Sequence, residues 1–365
     1  MKVIISGGGS GGHIFPAVAI ANVIKQKYND ADILFIGAKN RMEMEKVPQA
    51  GYTIQGLWIS GLQRRITFKN LSFPFKVVSS TLKAIMIIKR FKPDIVIGVG
   101  GYASGPTLRA ATILKLPTLI QEQNSYPGIT NKLLAKKVDR ICVAYDNMER
   151  WFEKEKICFT GNPVRQNIVD IENKRDKAGD HFELDANKKT VLVVGGSLGA
   201  LTINDSIAKG LRYFVENDIQ VIWQTGKNYF DKAKQEASGF NSGNIKVYDF
   251  IYEMDLAYSI ADIIISRAGA IAISELCVIG KPTILVPSPN VAEDHQTKNA
   301  MALVNKNAGI LVRDIESREG LIDQLDMLFK DQDVQNILSS NIMKLGIRDA
   351  DKRILEEIEE LLDIK

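Results

Sequence analysis

Two glycine-rich turns hold the residues best suited to do chemistry. The first reads Gly7-Gly8-Gly9-Ser10-Gly11-Gly12-His13 and the second Gly195-Gly196-Ser197-Leu198-Gly199-Ala200. Each follows a β-branched apolar run, Val3-Ile4-Ile5 or Val191-Leu192-Val193-Val194, and precedes a helix-like stretch. In that setting glycines let backbone N–H groups approach a phosphate at a helix N-terminus. His13 falls in the first turn of its helix, where the dipole disfavours imidazolium and predicts a neutral ring. A neutral imidazole works as a general base near neutral pH. A ring that only hydrogen-bonds the turn is the alternative.

Other motifs narrow the chemistry. Gly7-x-Gly9-x-x-Gly12 fits the dinucleotide fingerprint, which also requires an acid at the end of the second strand. That strand, Ile33–Ile36, is followed by Gly37-Ala38-Lys39-Asn40-Arg41, so no nicotinamide cofactor is expected. Gly195-x-Ser197-x-Gly199 also fits a nucleophile elbow, with His295 as its only downstream histidine. Ser197 as a hydroxyl donor to a phosphate oxygen fits the paired turns better. A third glycine-rich segment, Gly98–Pro106, follows Ile95-Val96-Ile97 and reads as an anion-binding nest or an ordinary loop. Arg267–Glu275 brings small residues to a helix start, with Glu275 placed for ribose hydroxyls or on the surface. Glu293-Asp294-His295-Gln296 forms a polar cluster at the C-terminal edge of a strand, the edge where open α/β sheets bind ligands.

Short apolar runs alternate with amphipathic stretches along all 365 residues. This predicts an α/β protein of two Rossmann-like domains, each with a mostly parallel sheet, facing each other across a cleft. The domains are expected at 1–160 and 161–345, with a terminal helix in 346–365 that packs back on the first. The linker is expected in or just before the polar segment Asn173–Lys189, and Asn162-Pro163 is a turn signal nearby. Cys142, Cys158 and Cys277 are scattered and read as buried thiols. No metal-ligand cluster is evident. No signal-peptide pattern and no apolar run of bilayer length is seen, which predicts a cytosolic chain with at most peripheral membrane contact. Residues 1–160 carry 23 Lys/Arg against 11 Asp/Glu, and the remainder 24 against 32. A basic half beside an acidic half suits an anionic surface. Nucleic acid is not expected, because no binding motif accompanies the charge.

Read together, the motifs resemble one family. They are residues 7–17, Gly-Gly-Tyr-Ala-Ser-Gly-Pro at 100–106, Gln-Glu-Gln-Asn at 121–124 and Gly-Asn-Pro-Val-Arg at 161–165. Gly-Gly-Ser-Leu-Gly-Ala at 195–200, Arg267–Glu275 and Asp-His-Gln at 294–296 complete the set. In this order they resemble the MurG family of peptidoglycan glycosyltransferases. The resemblance implies the GT-B fold and transfer of GlcNAc from UDP-GlcNAc to the 4-hydroxyl of the muramyl unit of lipid I, forming lipid II. The new linkage is β, so the anomeric centre inverts by direct displacement. The resemblance implies no cofactor, a place at the cytoplasmic face of the membrane, and other cell-wall synthesis proteins as partners.

By resemblance, Arg165, Ser197, Ile251 and Ala270, Ile271, Ala272, Ile273, Ser274 and Glu275 form the donor site. The Ile251 backbone meets uracil, Glu275 the ribose, and Ser197 with the helix start near Ala272 the diphosphate. Asn124 and Gln296 meet the GlcNAc hydroxyls, and Ser10, Gly11 and Gly12 line the opposite side. Gly100, Gly101, Tyr102, Ser104 and Gly105 are expected at the acceptor diphosphate. His13 is the expected base, with Glu122 second. The chain departs from the pattern at Ser10, Gln121, Leu198 and Ala272, and the last lacks a hydroxyl for the donor phosphate. Apolar and cationic residues mix in Arg64–Lys92, which suits an anionic interface. Arg64, Arg65, Phe68, Lys69, Phe73 and Phe75 are the expected docking residues. A related sugar-nucleotide enzyme, such as a glycolipid-forming transferase or a UDP-GlcNAc epimerase, a binding subunit inactive alone, and a serine hydrolase are the alternatives.

Overall fold

A computed structural model of the chain describes residues 1–61, 73–240 and 243–364. It divides into two compact units, residues 1–164 with 349–365, and residues 165–348. The division falls after Val164, beside Asn162-Pro163. It does not fall within Asn173–Lys189, where Arg175–Phe182 is a helix that buries Ala178 and Phe182. The polar composition there reflects a surface helix, held by the Arg175 fork on Asp262 at 2.9 and 3.1 Å.

The first unit is built on β1 (Lys2–Ser6), β2 (Asp32–Ala38), β3 (Thr53–Leu57), β4 (Ile95–Gly98), β5 (Thr118–Glu122), β6 (Arg140–Val143) and β7 (Ile157–Phe159). All pair in parallel, in the order β3-β2-β1-β4-β5-β6-β7. The strands are apolar at consecutive positions because both faces are covered. Alternate residues then sort into two cores. Ile4, Leu34, Ile36, Val96 and Ile120 pack on one face, and Val3, Ile5, Ile33, Phe35, Ile97 and Leu119 on the other.

The chain returns to this unit at its end. The helix Ala350–Leu361 places Ile354, Leu355 and Ile358 in the second core with Ile20, Ala21 and Ile24 of the helix Gly11–Lys27. Glu359 accepts from Tyr28 Oη at 2.6 Å and pairs with Lys27, and Arg140 pairs with Glu357 and Glu360.

The second unit repeats the scheme with β8 (Thr190–Val194), β9 (Gln220–Gln224), β10 (Ile245–Tyr248), β11 (Ile263–Ser266), β12 (Thr283–Leu285) and β13 (Ile310–Leu311). The order is β10-β9-β8-β11-β12-β13, again parallel. In each unit the strand order reverses beside the first strand, at β1/β4 and at β8/β11. Open α/β sheets bind ligands outside the C-terminal ends of their strands, at such a switch point. The glycine turns Gly7–Gly12 and Gly195–Ala200 follow β1 and β8.

Cys142 and Cys277 are buried, whereas Cys158 is partly exposed, contrary to the sequence reading. Among the described residues no helix is long and apolar enough to cross a membrane.

Ile354 is fully buried by the returning helix. Ile354→Ala is expected to destabilise the first unit by about 2–5 kcal/mol, read as a lower urea midpoint. An unchanged midpoint would mean that the returning helix adds nothing to that core.

Candidate active site

In the first unit, two glycine loops meet at the β1/β4 switch. Gly7–Ser10 leaves β1 and the helix Gly11–Lys27 begins at once, with Ser10 as its N-cap. The loop after β4 crosses it so closely that a Cβ on Gly101 would lie 2.2 Å from the Gly8 carbonyl oxygen. Gly101 has φ +84°, and only glycine meets both demands. His13 lies between the loops. Its Nδ1 is 3.1 Å from the Gly8 carbonyl and 3.2 Å from Ser10 Oγ, while its Nε2 edge faces Gly100. A carbonyl only accepts, so a hydrogen bond to Gly8 O requires the proton on Nδ1, the tautomer in which Nε2 is the nitrogen that accepts.

Not every amide of the turn is offered to a phosphate. Gly7 N–H donates to Ile36 O, and Gly9 N–H donates to Glu43 Oε2 at 2.9 Å. Glu43 is buried at the head of the helix Glu43–Gln49 and also accepts from Ala38 N–H at 2.9 Å. An acid therefore does stand at the end of β2, contributed from five residues beyond it. The sequence reading missed it because it sought the acid within the strand's own exit. Gly8 and Gly37 make its room, since a Cβ on either would collide with its side chain.

The second glycine loop differs from expectation at two residues. Ser104 is fully buried with its hydroxyl against Gly98, and Gly100 is buried against the His13 ring, so neither side is turned to a ligand. Tyr102 is exposed, and Gly101 and Gly105 are partly so.

Glu122 is also placed differently from a base. Its carboxylate accepts from Asn124 N and Nδ2 at 3.0 and 3.1 Å, from Gly128 N at 3.0 Å and from Asn131 Nδ2 at 2.8 Å. Burial raises its pKa, and these donors oppose the rise. The arrangement makes Glu122 an anchor for the loop that carries Asn124. Gln121 is buried and donates to Asn162 Oδ1 at 2.7 Å, within an amide network that includes Gln123.

In the second unit, the turn after β8 and the helix Ala270–Ile279 after β11 flank the switch. Ser197 is exposed in a tight turn closed by Gly199 N–H to Gly196 O at 3.0 Å. The left-handed residues there are Gly196 and Gly199, not Ser197. A strained serine, the mark of a nucleophile elbow, is therefore missing at this turn. A Cβ on Gly199 would lie 2.0 Å from the Thr225 carbonyl oxygen, so the turn presses on the end of β9. There the buried Gln224 accepts from Ile251 N–H at 2.9 Å and donates to Gly196 O at 3.2 Å. One amide thus ties the phosphate-type turn to the residue expected to read a base.

Glu275 is 2 % exposed. It accepts from Arg165 Nε at 2.8 Å, Arg165 Nη2 at 3.3 Å and Tyr258 Oη at 3.2 Å. Burial raises its pKa and the Arg165 guanidinium opposes the rise. Ala270 and Ile273 are buried beside it, while Ile271, Ala272 and Ser274 are partly exposed. Gln296 accepts from Ser288 N at 2.8 Å, which leaves its amide nitrogen as a donor.

Arg64, Arg65, Phe68 and Lys69 lie outside the described residues. Phe73 is partly buried and packs against the core, while Phe75 is 75 % exposed. Phe75, Val78, Leu82 and Met86 are all exposed and recur at helical spacing along one side of the helix Phe73–Phe91. The opposite side buries Ser80, Ala84, Ile87 and Ile88. Lys76 lies 5.6 Å from the ring centre of the exposed Trp58.

Two neighbouring glycines give a sharp contrast. Gly101→Ala is expected to destabilise the protein by about 2–4 kcal/mol, because its Cβ meets backbone in a left-handed conformation. Gly105→Ala, whose Cβ would sit 3.6 Å from Thr130 Cγ2, should shift stability by under about 1 kcal/mol. Equal melting temperatures for the two variants would contradict this packing.

Comparison with known proteins identifies the family. Residues 3–143 match the glycosyltransferase family 28 N-terminal domain, and residues 190–354 its C-terminal domain. A relative from Cytophaga hutchinsonii is 55 % identical over 362 residues, covering 99 % of this chain and 97 % of its own. One from Flavobacterium psychrophilum is 53 % identical, covering 99 % and 98 %. Both are named UDP-N-acetylglucosamine--N-acetylmuramyl-(pentapeptide) pyrophosphoryl-undecaprenol N-acetylglucosamine transferase. The crystal structure of Acinetobacter baumannii MurG superposes with a TM-score of 0.79 at 26 % identity, covering 98 % of this chain and 99 % of that one. The UDP-GlcNAc 2-epimerase of Neisseria meningitidis shares the fold, with a TM-score of 0.68 at 16 % identity over 99 % and 100 % of the two chains. With both domain models matched in order and relatives above half identity along its whole length, the chain belongs to glycosyltransferase family 28.

Proposed function

We propose that this protein transfers GlcNAc from UDP-GlcNAc to the 4-hydroxyl of the muramyl unit of undecaprenyl-pyrophosphoryl-MurNAc-pentapeptide, with inversion, to make lipid II. The observation that carries this reading is identity above 50 % over the full chain with enzymes named for that transfer. In this reading the second unit binds the donor. Arg165 and Glu275 hold the ribose, Ile251 meets the uracil, and Ser197 with the helix start at Ala270–Ala272 meets the diphosphate. The Ile251 N–H is engaged by Gln224, so the carbonyl is its remaining group for the base. Asn124, braced by Glu122, and Gln296 address the sugar. Ser10, Gly11, Gly12, Gly101, Tyr102 and Gly105 serve the acceptor.

The reaction follows from these groups. The muramyl 4-hydroxyl oxygen forms a bond to the anomeric carbon as the bond from that carbon to the UDP oxygen breaks. His13 Nε2 takes the hydroxyl proton, and UDP leaves with the bonding electron pair. Backbone N–H groups and helix dipoles stabilise the charge that develops on the diphosphate.

The acceptor is a polyprenyl lipid, and the outward stripe of the helix Phe73–Phe91 is the membrane-facing part of this reading. Four apolar side chains with Lys76, Lys89 and Arg90 on the same helix suit an anionic cytoplasmic leaflet.

Labelled GlcNAc should pass from UDP-GlcNAc to a short-chain lipid I analogue and stay untransferred without acceptor. His13→Ala should lower kcat about 10²–10⁴-fold, the ordinary worth of a general base. Glu275→Ala should chiefly raise KM for UDP-GlcNAc. Interconversion of UDP-GlcNAc and its epimer without acceptor would replace this reading with that of an epimerase. Phe75→Ser with Leu82→Ser should weaken sedimentation with anionic vesicles while leaving UDP-GlcNAc affinity intact. Undiminished vesicle binding would remove this helix from the membrane face.

A further inference from the structure

The Gly8–Gly9 peptide is gripped at both ends. Its N–H, on Gly9, donates to Glu43 Oε2 at 2.9 Å, and its C=O, on Gly8, lies 3.1 Å from His13 Nδ1. A trans peptide points these two groups in opposite directions, so a carboxylate and an imidazole face each other through a single planar unit. Nothing in this arrangement is loose. Glu43 is 1 % exposed, and its other oxygen accepts from Ala38 N–H at 2.9 Å, which fixes the carboxylate plane against β2. Gly8 has φ +146°, and a Cβ there would lie 2.2 Å from the Glu43 carboxyl carbon. Gly101 presses the same peptide from the second loop, within 2.2 Å of the Gly8 oxygen for a Cβ.

We propose that Glu43 is a positioning residue for His13 that acts through the Gly8–Gly9 peptide. By accepting from the Gly9 N–H, it aims the Gly8 carbonyl at the ring. It thereby holds neutral His13 in the Nδ1–H form, with Nε2 as the nitrogen that accepts a proton. The negative carboxylate polarises the peptide so that its carbonyl is a stronger acceptor, as successive hydrogen bonds in a low-dielectric site do. The arrangement does the work of a carboxylate placed directly on the far nitrogen of a catalytic imidazole, with one peptide inserted between them. It also gives the acid beyond β2 a different task from the one it has in dinucleotide-binding turns. There it takes a ribose; here it is spent on the turn itself.

The catalytic consequence rests on His13 being the base in the proposed function, whereas the tautomer does not. The test is therefore long-range ¹H–¹⁵N NMR of the histidine rings in the full chain, at a pH where they are neutral. The sequence holds three histidines, His13, His181 and His295, and loss of one set of signals in His13→Gln assigns the first. The wild-type ring should show a protonated Nδ1 and an unprotonated Nε2. In Glu43→Gln that preference should weaken or reverse. kcat should then fall at least about 10-fold, as for lost support of a positioned imidazole, with KM for UDP-GlcNAc within about twofold.

An Nε2–H ring in the wild-type protein would overturn the proposal and needs no variant to be seen. An unaltered ring signature in a folded Glu43→Gln would overturn it too, and would leave Glu43 as a brace for the loop alone. If instead His13→Ala keeps its turnover while the Glu43-dependent tautomer is observed, the base assignment falls and the relay stands.

Discussion

Close main-chain contact between loops that leave neighbouring strands is the constraint on which the candidate sites depend. Gly101 lies against the Gly8 carbonyl, and Gly199 against the Thr225 carbonyl, at separations where no side chain fits. Gly226 meets the Leu198 carbonyl in the same way. Backbone brought this close exposes or engages its N–H and C=O groups in fixed directions. The candidate site side chains then inherit that order. His13 is oriented by Gly8, and Ser197 by the turn between Gly196 and Gly199.

Buried polar side chains complete what the glycines begin. Glu43 and Glu122 are buried carboxylates, an arrangement that is costly unless their oxygens are satisfied. Each is satisfied by donors of the loops it supports, two main-chain amides for Glu43 and a mixed set for Glu122. Gln224 does the same without charge, accepting from one site segment and donating to another. Loops that carry the candidate site residues are thereby tied to strand ends.

The helix Phe73–Phe91 is apolar on both its inward and its outward side. Ser80 and Thr81 face inward and use their hydroxyls on Trp58 O and Val77 O, while Phe75, Val78, Leu82 and Met86 face outward. This exposed apolar stripe is the part of the helix that the proposed function turns to the membrane. The sequence suggested the region through its mixed apolar and basic residues. Of the expected docking segment Phe68–Phe75, Phe75 belongs to this stripe and residues 68–72 lie outside the described residues.

Much of the fold was legible beforehand. Alternating apolar runs located the parallel strands, since each strand is buried on both faces and needs several consecutive apolar residues. The glycine turns marked the sheet edges that matter, because left-handed backbone and close approach leave few residue types to choose from. Ordered motifs pointed to the family. The sequence did not reveal which loop amides are already engaged. Gly9 N–H goes to Glu43, and Ile251 N–H to Gln224; both partners are distant in sequence and ordinary in type. Nor did it show that Ser104 is sealed inside. Local periodicity and turn chemistry are written in neighbouring residues, so the sequence by itself determines the elements and their glycine punctuation. Hydrogen-bond partners across the sheet depend on which strand ends meet, and only the tertiary structure decides that.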